Sequence, residues 1–372
     1  MSNKKNKDNL EKSILEEDIK FSPNLEYEED IVDDAECTFA LIDSFEAFIS
    51  VKDEKPYLVY QNKNNYNLEV FKVLKNKYKI VTSIEGHSTK ITCLKYYYNE
   101  NKNIEYLISS DYNGKIIITN ITDDYKKNYE IKSKYEDGQI SCCLMIFNIY
   151  NKDKIDIKNG LVLISNKNTL GEGNLPTRLY VLHDRGLSSY YKDLALSSLN
   201  NTSYMIYWFN KRLKKDYIID IGHMKVGVIN IVENETYATF TTHLNTWHHC
   251  GFVYCDEENK TDLLFFTSIK SIVFVIDLYS KQTIKTIKTS GKIERLYNII
   301  QWNSNYLLVS NATAPDIKVI DIKEKKCVGN IFIEQHEDDF RCIRKIKHPK
   351  FGYCLMTGGD DYSIKLYKLK NI

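Results

Sequence analysis

The 372-residue chain contains no run of eighteen apolar residues, which is about the length a helix needs to cross a bilayer. Its first residues, MSNKKNKDNLEKS, lack the apolar stretch of a secretory signal, so the expected location is the cytoplasm, with the nucleus as the alternative. None of the nine cysteines belongs to a C-x-x-C pair. Several lie in apolar runs such as ISCCLMIF, which points to reduced, buried thiols in a reducing compartment rather than disulfides or a zinc ribbon. No G-K-[ST] follows the two glycines of NKNTLGEGNLPTR, residues 166–178, so they mark a long turn between strands rather than a phosphate loop. No G-x-S-x-G elbow accompanies His183, Asp184, Ser188 and Ser189, and a hydrolase triad is not expected. No two arginines are adjacent, so no arginine pair is present to grip a phosphoinositide headgroup.

What is present begins with an uneven charge. Residues 1–36 hold twelve acidic and five basic residues, a net charge of −7, which leaves +8 for residues 37–372 of a chain whose total is +1. Poor in apolar groups and carrying EYEEDIVDDAE, the segment 1–36 is expected to be a disordered acidic tail. The rest is 336 residues in a chain that is 43% apolar, ample for a packed core.

From residue 37 onward, short β-branched and aromatic runs alternate with turn signals: YLISS, GKIIITN, LLFFTS, SIVFVIDL, NYLLVS, DIKVIDI. That spacing predicts an all-β fold. The runs come in groups. EGHSTKITCLKYYYNENKNIEYLISSDYNGKIIITNIT and EQHEDDFRCIRKIKHPKFGYCLMTGGDDYSIKLYKL repeat one order of Gly-His or Gln-His, inner strand, small-residue strand, tight turn and apolar strand. His87 precedes Asn113 by twenty-six residues and His336 precedes Asp361 by twenty-five.

On these residues the chain resembles the WD-repeat (WD40) β-propeller family, whose units run from Gly-His to Trp-Asp across four strands. The resemblance covers residues 37–372. Trp is absent from the end of every third strand, where Thr119, Ile276, Ile320 and Tyr367 stand, and Asp follows at Asp277 and Asp321 only. The family's link between histidine, a Ser or Thr, the turn Asp and Trp implies His336, Thr357, Asp361 and Tyr367 in the last blade, and Asn113 and Thr119 in the last two roles of the second. From His87 to His336 is 249 residues; unit starts near Glu136, Leu199, His243 and Gly291 divide it into five intervals of about fifty. With residues 37–86 before and the unit from His336 after, the expected architecture is a seven-bladed propeller over 37–372. The last unit is one strand short, and CTFALID, residues 37–43, is expected to supply it and so close the ring from the N-terminal side.

THLNTWHHCGFVYC, residues 242–255, gathers three histidines and two cysteines. In this register it is the inner strand of blade five. Strict alternation puts Trp247, His249, Gly251, Val253 and Cys255 on one face and His248, Cys250, Phe252 and Tyr254 on the other. His249 and Cys255 then lie about 20 Å apart at roughly 3.3 Å per residue, far beyond zinc bonds of about 2.0–2.3 Å. No metal and no cofactor is expected, and the polar members of the strand are expected to face the channel.

Nothing in the chain assembles chemistry, so the expected function is a noncatalytic protein-interaction scaffold or adaptor within a larger complex. Its partners, other proteins or peptides, are expected on the face formed by the loops between blades and between second and third strands. The residues expected to bind them are Tyr112, His243, Trp247, Asp338, Phe340 and Tyr362. One alternative is a substrate receptor of a cullin-type ubiquitin ligase, for which LMTGGDDYSIKLYKLK has the apolar-small-acidic pattern but ends in Tyr367-Lys368-Leu369-Lys370 instead of Trp-Asp-x-Arg. The other is binding of nucleic acid or an anionic membrane surface by the basic body. Against nucleic acid stands RCIRKIKHPK, in which the charges alternate onto both faces of a strand.

Overall fold

The computed structural model describes residues 25–32, 45–132, 138–150, 160–168, 177–182, 188–194, 202–222, 224–242, 248–333 and 335–369. All the regular structure of the described residues is β. Seven four-stranded antiparallel sheets follow one another around a ring, each running from an inner to an outer strand. Their inner strands are Phe45–Ile49, Ile91–Asn99, Gly138–Ile146, Thr202–Asn210, His248–Asp256, Leu296–Gln301 and Phe340–His348. The four inner strands expected after Glu136, Leu199, His243 and Gly291 thus begin two to five residues further on, which confirms the seven-blade count.

The core lies between the blades. Seven apolar clusters each join one sheet to the next, and the last returns from Cys342, Cys354, Met356 and Leu366 of blade seven to Phe45, Leu58 and Tyr60 of blade one. Each sheet therefore buries both faces, and its second strand, covered by two neighbours, reads as a continuous apolar run: Thr261–Ser268 is buried at every position but the first. The places where the WD-repeat pattern has Trp follow the same rule. Thr119, Ile276, Ile320 and Tyr367 are all buried, and of the four only Tyr367 keeps an aromatic ring there.

Ring closure corrects the sequence reading. The fourth strand of blade seven is Leu25–Val32, antiparallel to Ile364–Leu369, and not residues 37–43, which lie outside the described residues. Part of the acidic segment assigned to a disordered tail is thus the clasp. Its charges meet lysines from the far end of the chain: Asp30 Oδ1 is 2.8 Å from Lys365 Nζ and Glu28 Oε2 is 2.5 Å from Lys368 Nζ. The Tyr78 hydroxyl of blade one donates to Glu29 at 2.8 Å, and Tyr27 packs edge-on against Tyr367. Burial, with Glu29 adding to it, pushes the Tyr78 hydroxyl above its ordinary range. All seven extra negative charges fall in residues 25–36, since residues 1–24 hold five acidic and five basic side chains.

A bulge opens the inner strand of every blade except the first, as at Ile91/Cys93, Ile140/Cys142, Thr202/Tyr204, His248/Gly251, Leu296/Ile299 and Phe340/Cys342. An extra residue there breaks strict alternation and turns the strand toward the next loop.

Candidate functional site

Connections between blades, together with the turns joining second to third strands, lie on one face of the ring, here called the upper face. Two of these turns are built by a histidine. In blade two, His87 Nδ1 is 3.0 Å from Asp111 Oδ2 and Nε2 is 2.7 Å from Ser109 Oγ. A carboxylate can only accept, so Nδ1 carries a proton. Asp111 also accepts the backbone N–H groups of Asn113 and Lys115 through its other oxygen. The aspartate of this link is therefore Asp111, not Asn113 as the spacing suggested: a carboxylate is needed to take two N–H groups and an imidazole at once. Tyr112 stands at the turn, 47% exposed, its N–H held by Lys90 O.

Blade seven repeats the device. His336 Nδ1 is 3.0 Å from both oxygens of Asp361, and Nε2 is 2.6 Å from Thr357 Oγ1. Burial alone raises the Asp361 carboxyl, but the hydrogen bond and charge of His336, joined by Ser363, outweigh it and hold the group at about 2. Gly359 makes room, since a Cβ there would come within 2.5 Å of His336 Nδ1 and 2.6 Å of Asp361 Oδ1. Tyr362 follows with a left-handed φ of 64°, and the Lys63 ammonium of blade one lies 4.4 Å from its ring centre. The two His-braced turns thus carry Tyr112 and the half-exposed Tyr362 on the same face, on the two blades that flank blade one.

Asp338 is exposed on this face. Beside it Asp339 and Asp360 flank Arg341, whose guanidinium is 2.6 Å from Asp360. Burial, reinforced by Asp338 and Asp339 and opposed by Arg341, pushes the Asp360 carboxyl up to about 6. Phe340 does not belong to the surface. It is 1% exposed, stacks on His336 and packs in the core between blades six and seven, because its place at the bulge points it between the sheets. His243 and Trp247 lie outside the described residues.

The histidines of blade five do not face the channel. His248 is edge-on to Phe266 and Phe274 with ring centres 5.0 and 5.7 Å away, and Nε2 is 3.0 Å from Thr242 Oγ1. His249 stacks on Tyr297 of blade six at 4.3 Å. The bulge between His248 and Gly251 reverses the alternation, so His249 turns with Cys250 toward blade six while His248 packs against its own blade's phenyl rings. The two imidazoles therefore serve different contacts. Among the described residues no group of three or more His, Cys, Asp or Glu side chains is arranged to hold a metal ion.

The axial channel is a cavity of about 430 Å³ lined by all seven inner strands. Its charges are paired or covered: Arg344 Nε is 3.1 Å from Glu46 Oε1, and the Lys95 ammonium lies 3.9 Å from the Tyr204 ring centre. The turn between Leu161–Asn168 and Thr177–Leu182 that carries Gly171 and Gly173 joins two strands of blade three, and its residues 169–176 lie outside the described residues.

No protein-family model matches the chain, and no curated protein matches it. Solved structures do. The crystal structure of BBS1N in complex with ARL6DN, soaked with mercury, aligns over 93% of this chain and 97% of that one with a TM-score of 0.64 at 10% identity. A lead-soaked crystal of the same complex aligns over 92% and 98% with a TM-score of 0.62 at 12% identity. At such identity the likeness is one of fold, that of the seven-bladed propeller.

Proposed function

We propose that this propeller is a divergent WD-repeat protein that works as a noncatalytic scaffold, holding protein or peptide partners on its upper face. The observation that carries the reading is the pair of His-braced turns presenting Tyr112 and Tyr362. Each tyrosine sits on a turn whose backbone is braced by a buried hydrogen-bond network, so little backbone freedom remains to be lost on binding, and aromatic side chains commonly dominate interface energies. The histidine links also support the family reading, since they join the residue types the WD-repeat pattern joins. The similar fold BBS1N is found in complex with another protein, ARL6DN, which agrees with a binding role. All eight cysteines among the described residues are free thiols, in keeping with a reducing cytoplasm or nucleus. Among the described residues no helix is long and apolar enough to cross a membrane.

The test is affinity purification of the full chain from its own organism, with quantitative mass spectrometry of what accompanies it. A partner in stoichiometric amount is expected, and Tyr112→Ala with Tyr362→Ala should reduce its recovery at least tenfold, the effect of about 1.4 kcal/mol. A partner retained in full by the double variant removes the site. The absence of any stoichiometric partner overturns the scaffold.

A further inference from the structure

We propose that the upper rim of blades five and six docks on the anionic surface of a lipid bilayer. Ile293 and Phe332 are the two most exposed large apolar side chains among the described residues, at 80% and 67%. Ile293 lies on the connection entering blade six, and Phe332 ends that blade's outer strand, Lys326–Phe332, so both belong to the upper face. Exposed Lys270, Lys288, Lys292 and Arg295 surround them on the same turns. Within residues 268–272, 286–295 and 311–316 the only carboxylates are Glu294 and Asp316, and both are buried on Lys318, at 3.1 and 2.7 Å from its ammonium. The exposed charge of these three segments is therefore positive. The stretch that follows Phe332 into blade seven is acidic, with Glu334, Glu337, Asp338 and Asp339.

The two knobs stand on one rigid base. Glu294 adjoins Ile293, Asp316 faces Phe332 in the strand register, and Lys318, itself buried, ties the two carboxylates together. The loop is braced further. Ser271 Oγ donates to Lys292 O and accepts from Glu294 N–H, at 2.5 and 2.6 Å, and Arg295 N–H donates to Thr313 Oγ1 at 3.1 Å. So the side chains are held outward, not merely left uncovered.

Convexity favours lipid over a folded partner. Neither knob lines the channel cavity, and both project from the rim. A fluid interface admits protruding apolar side chains without a matching pocket, and lysines flanking them are attracted to acidic headgroups. This surface is distinct from the Tyr112–Tyr362 sector, and the proposal does not depend on the scaffold reading.

The test is flotation of the full chain with vesicles of phosphatidylcholine alone and with vesicles in which about a third of the lipid is phosphatidylserine. Binding is expected to the second only, and to weaken as salt shortens the Debye length to a few ångströms. Ile293→Ser with Phe332→Ser, and separately Lys288→Glu with Lys292→Glu, should each lower partitioning at least tenfold while melting temperatures stay within a few degrees. Leu213→Ser with Lys211→Glu, on the opposite face, should leave partitioning unchanged. Wild-type protein that ignores phosphatidylserine, or binds both vesicles equally, overturns the proposal, as does full binding by the rim variants. Rim variants that lose a protein partner in a chain that never binds vesicles would assign the patch to that protein instead. Neither result touches the tyrosine variants on which the scaffold reading rests.

Discussion

In blade seven Thr357, and in blade five Phe266, hold the same place: each lies two residues before the upper end of a second strand, opposite the inner strand just past its bulge. Thr357 offers a hydroxyl, and His336 above it becomes the centre of a polar link to Asp361. Phe266 offers a ring, and the nearby His248 becomes a packing partner set edge-on against it. His248 even occupies the register position that Phe340 has in blade seven. The two kinds of histidine differ in place as well as in neighbour. One four residues before the inner strand, as His336 is before Phe340, meets a hydroxyl and braces an exposed turn, and one at the strand's first position, as His248 is, meets phenyl rings and joins the core. Ser109 puts blade two in the first class. Blade four belongs to neither, for its residue at this place is Asp220, a fully buried carboxyl whose oxygens have no hydrogen-bond partner of good geometry among the described residues.

The largest effect expected is on closure, which only blade seven needs from a distant segment. Deleting residues 1–24 should leave the melting temperature within a few degrees. Deleting 1–32 removes the ion pairs and hydrogen bonds of the clasp and exposes the edge of Ile364–Leu369, so melting should fall by roughly 10 °C or more and blade seven should lose protection in hydrogen exchange. Equal melting of the two truncations would show that the clasp is dispensable.

Asp220 sharpens the comparison from the other side. Desolvation, offset in part by Thr202, raises its carboxyl to about 7. Because the folded value lies above the unfolded one, the native state keeps its proton longer, and stability is lost as pH rises from about 4 to about 7 and is level above that. Asp220→Asn removes the ionisation. Its advantage should grow across that window and reach at most about 4 kcal/mol at pH 8, taking about 1.4 kcal/mol per pH unit. Denaturant midpoints of both proteins at pH 4 and 8 decide it; a difference independent of pH would mean the carboxyl titrates normally.

The comparison itself is broken or kept by one substitution made twice. His336→Phe strands the buried Asp361 charge and should cost about 3 kcal/mol. It should also reduce the acid sensitivity that Asp361, held at about 2, contributes as pH falls through the range between 4 and 2. His248→Phe loses one hydrogen bond to Thr242 but keeps an aromatic ring between Phe266 and Phe274, and should cost about 1 kcal/mol or less. Equal costs in urea titration would mean that the two histidines do the same work.

Much of this was legible in the order of residues. Strand-length apolar runs and turn signals repeating at about fifty residues were enough for seven blades, because every blade buries both faces and so repeats the same pattern. The link in blade seven was legible because His336, Thr357 and Asp361 match the pattern of residue types. In blade two the spacing pointed to Asn113, two residues past Asp111, because counting cannot say which side chain turns inward. Phe340 was read as a surface anchor because aromatic residues at a rim often dominate binding, and His248 and His249 as channel residues because period-two alternation does not foresee a bulge: in both places a single extra residue exchanges the faces. Ile293 and Phe332 drew no attention, since isolated apolar residues carry no signal until their exposure is known.

By itself the sequence determined the repeat, the all-β architecture and the burial of its apolar runs, because these follow from local period and composition. Only the tertiary structure decided what closes the ring. LEYEEDIV is too acidic to pair with itself or to fold alone, and it reads as tail. It becomes a strand because the exposed edge of Ile364–Leu369, more than three hundred residues away, arrives beside it with Lys365 and Lys368 placed against Asp30 and Glu28.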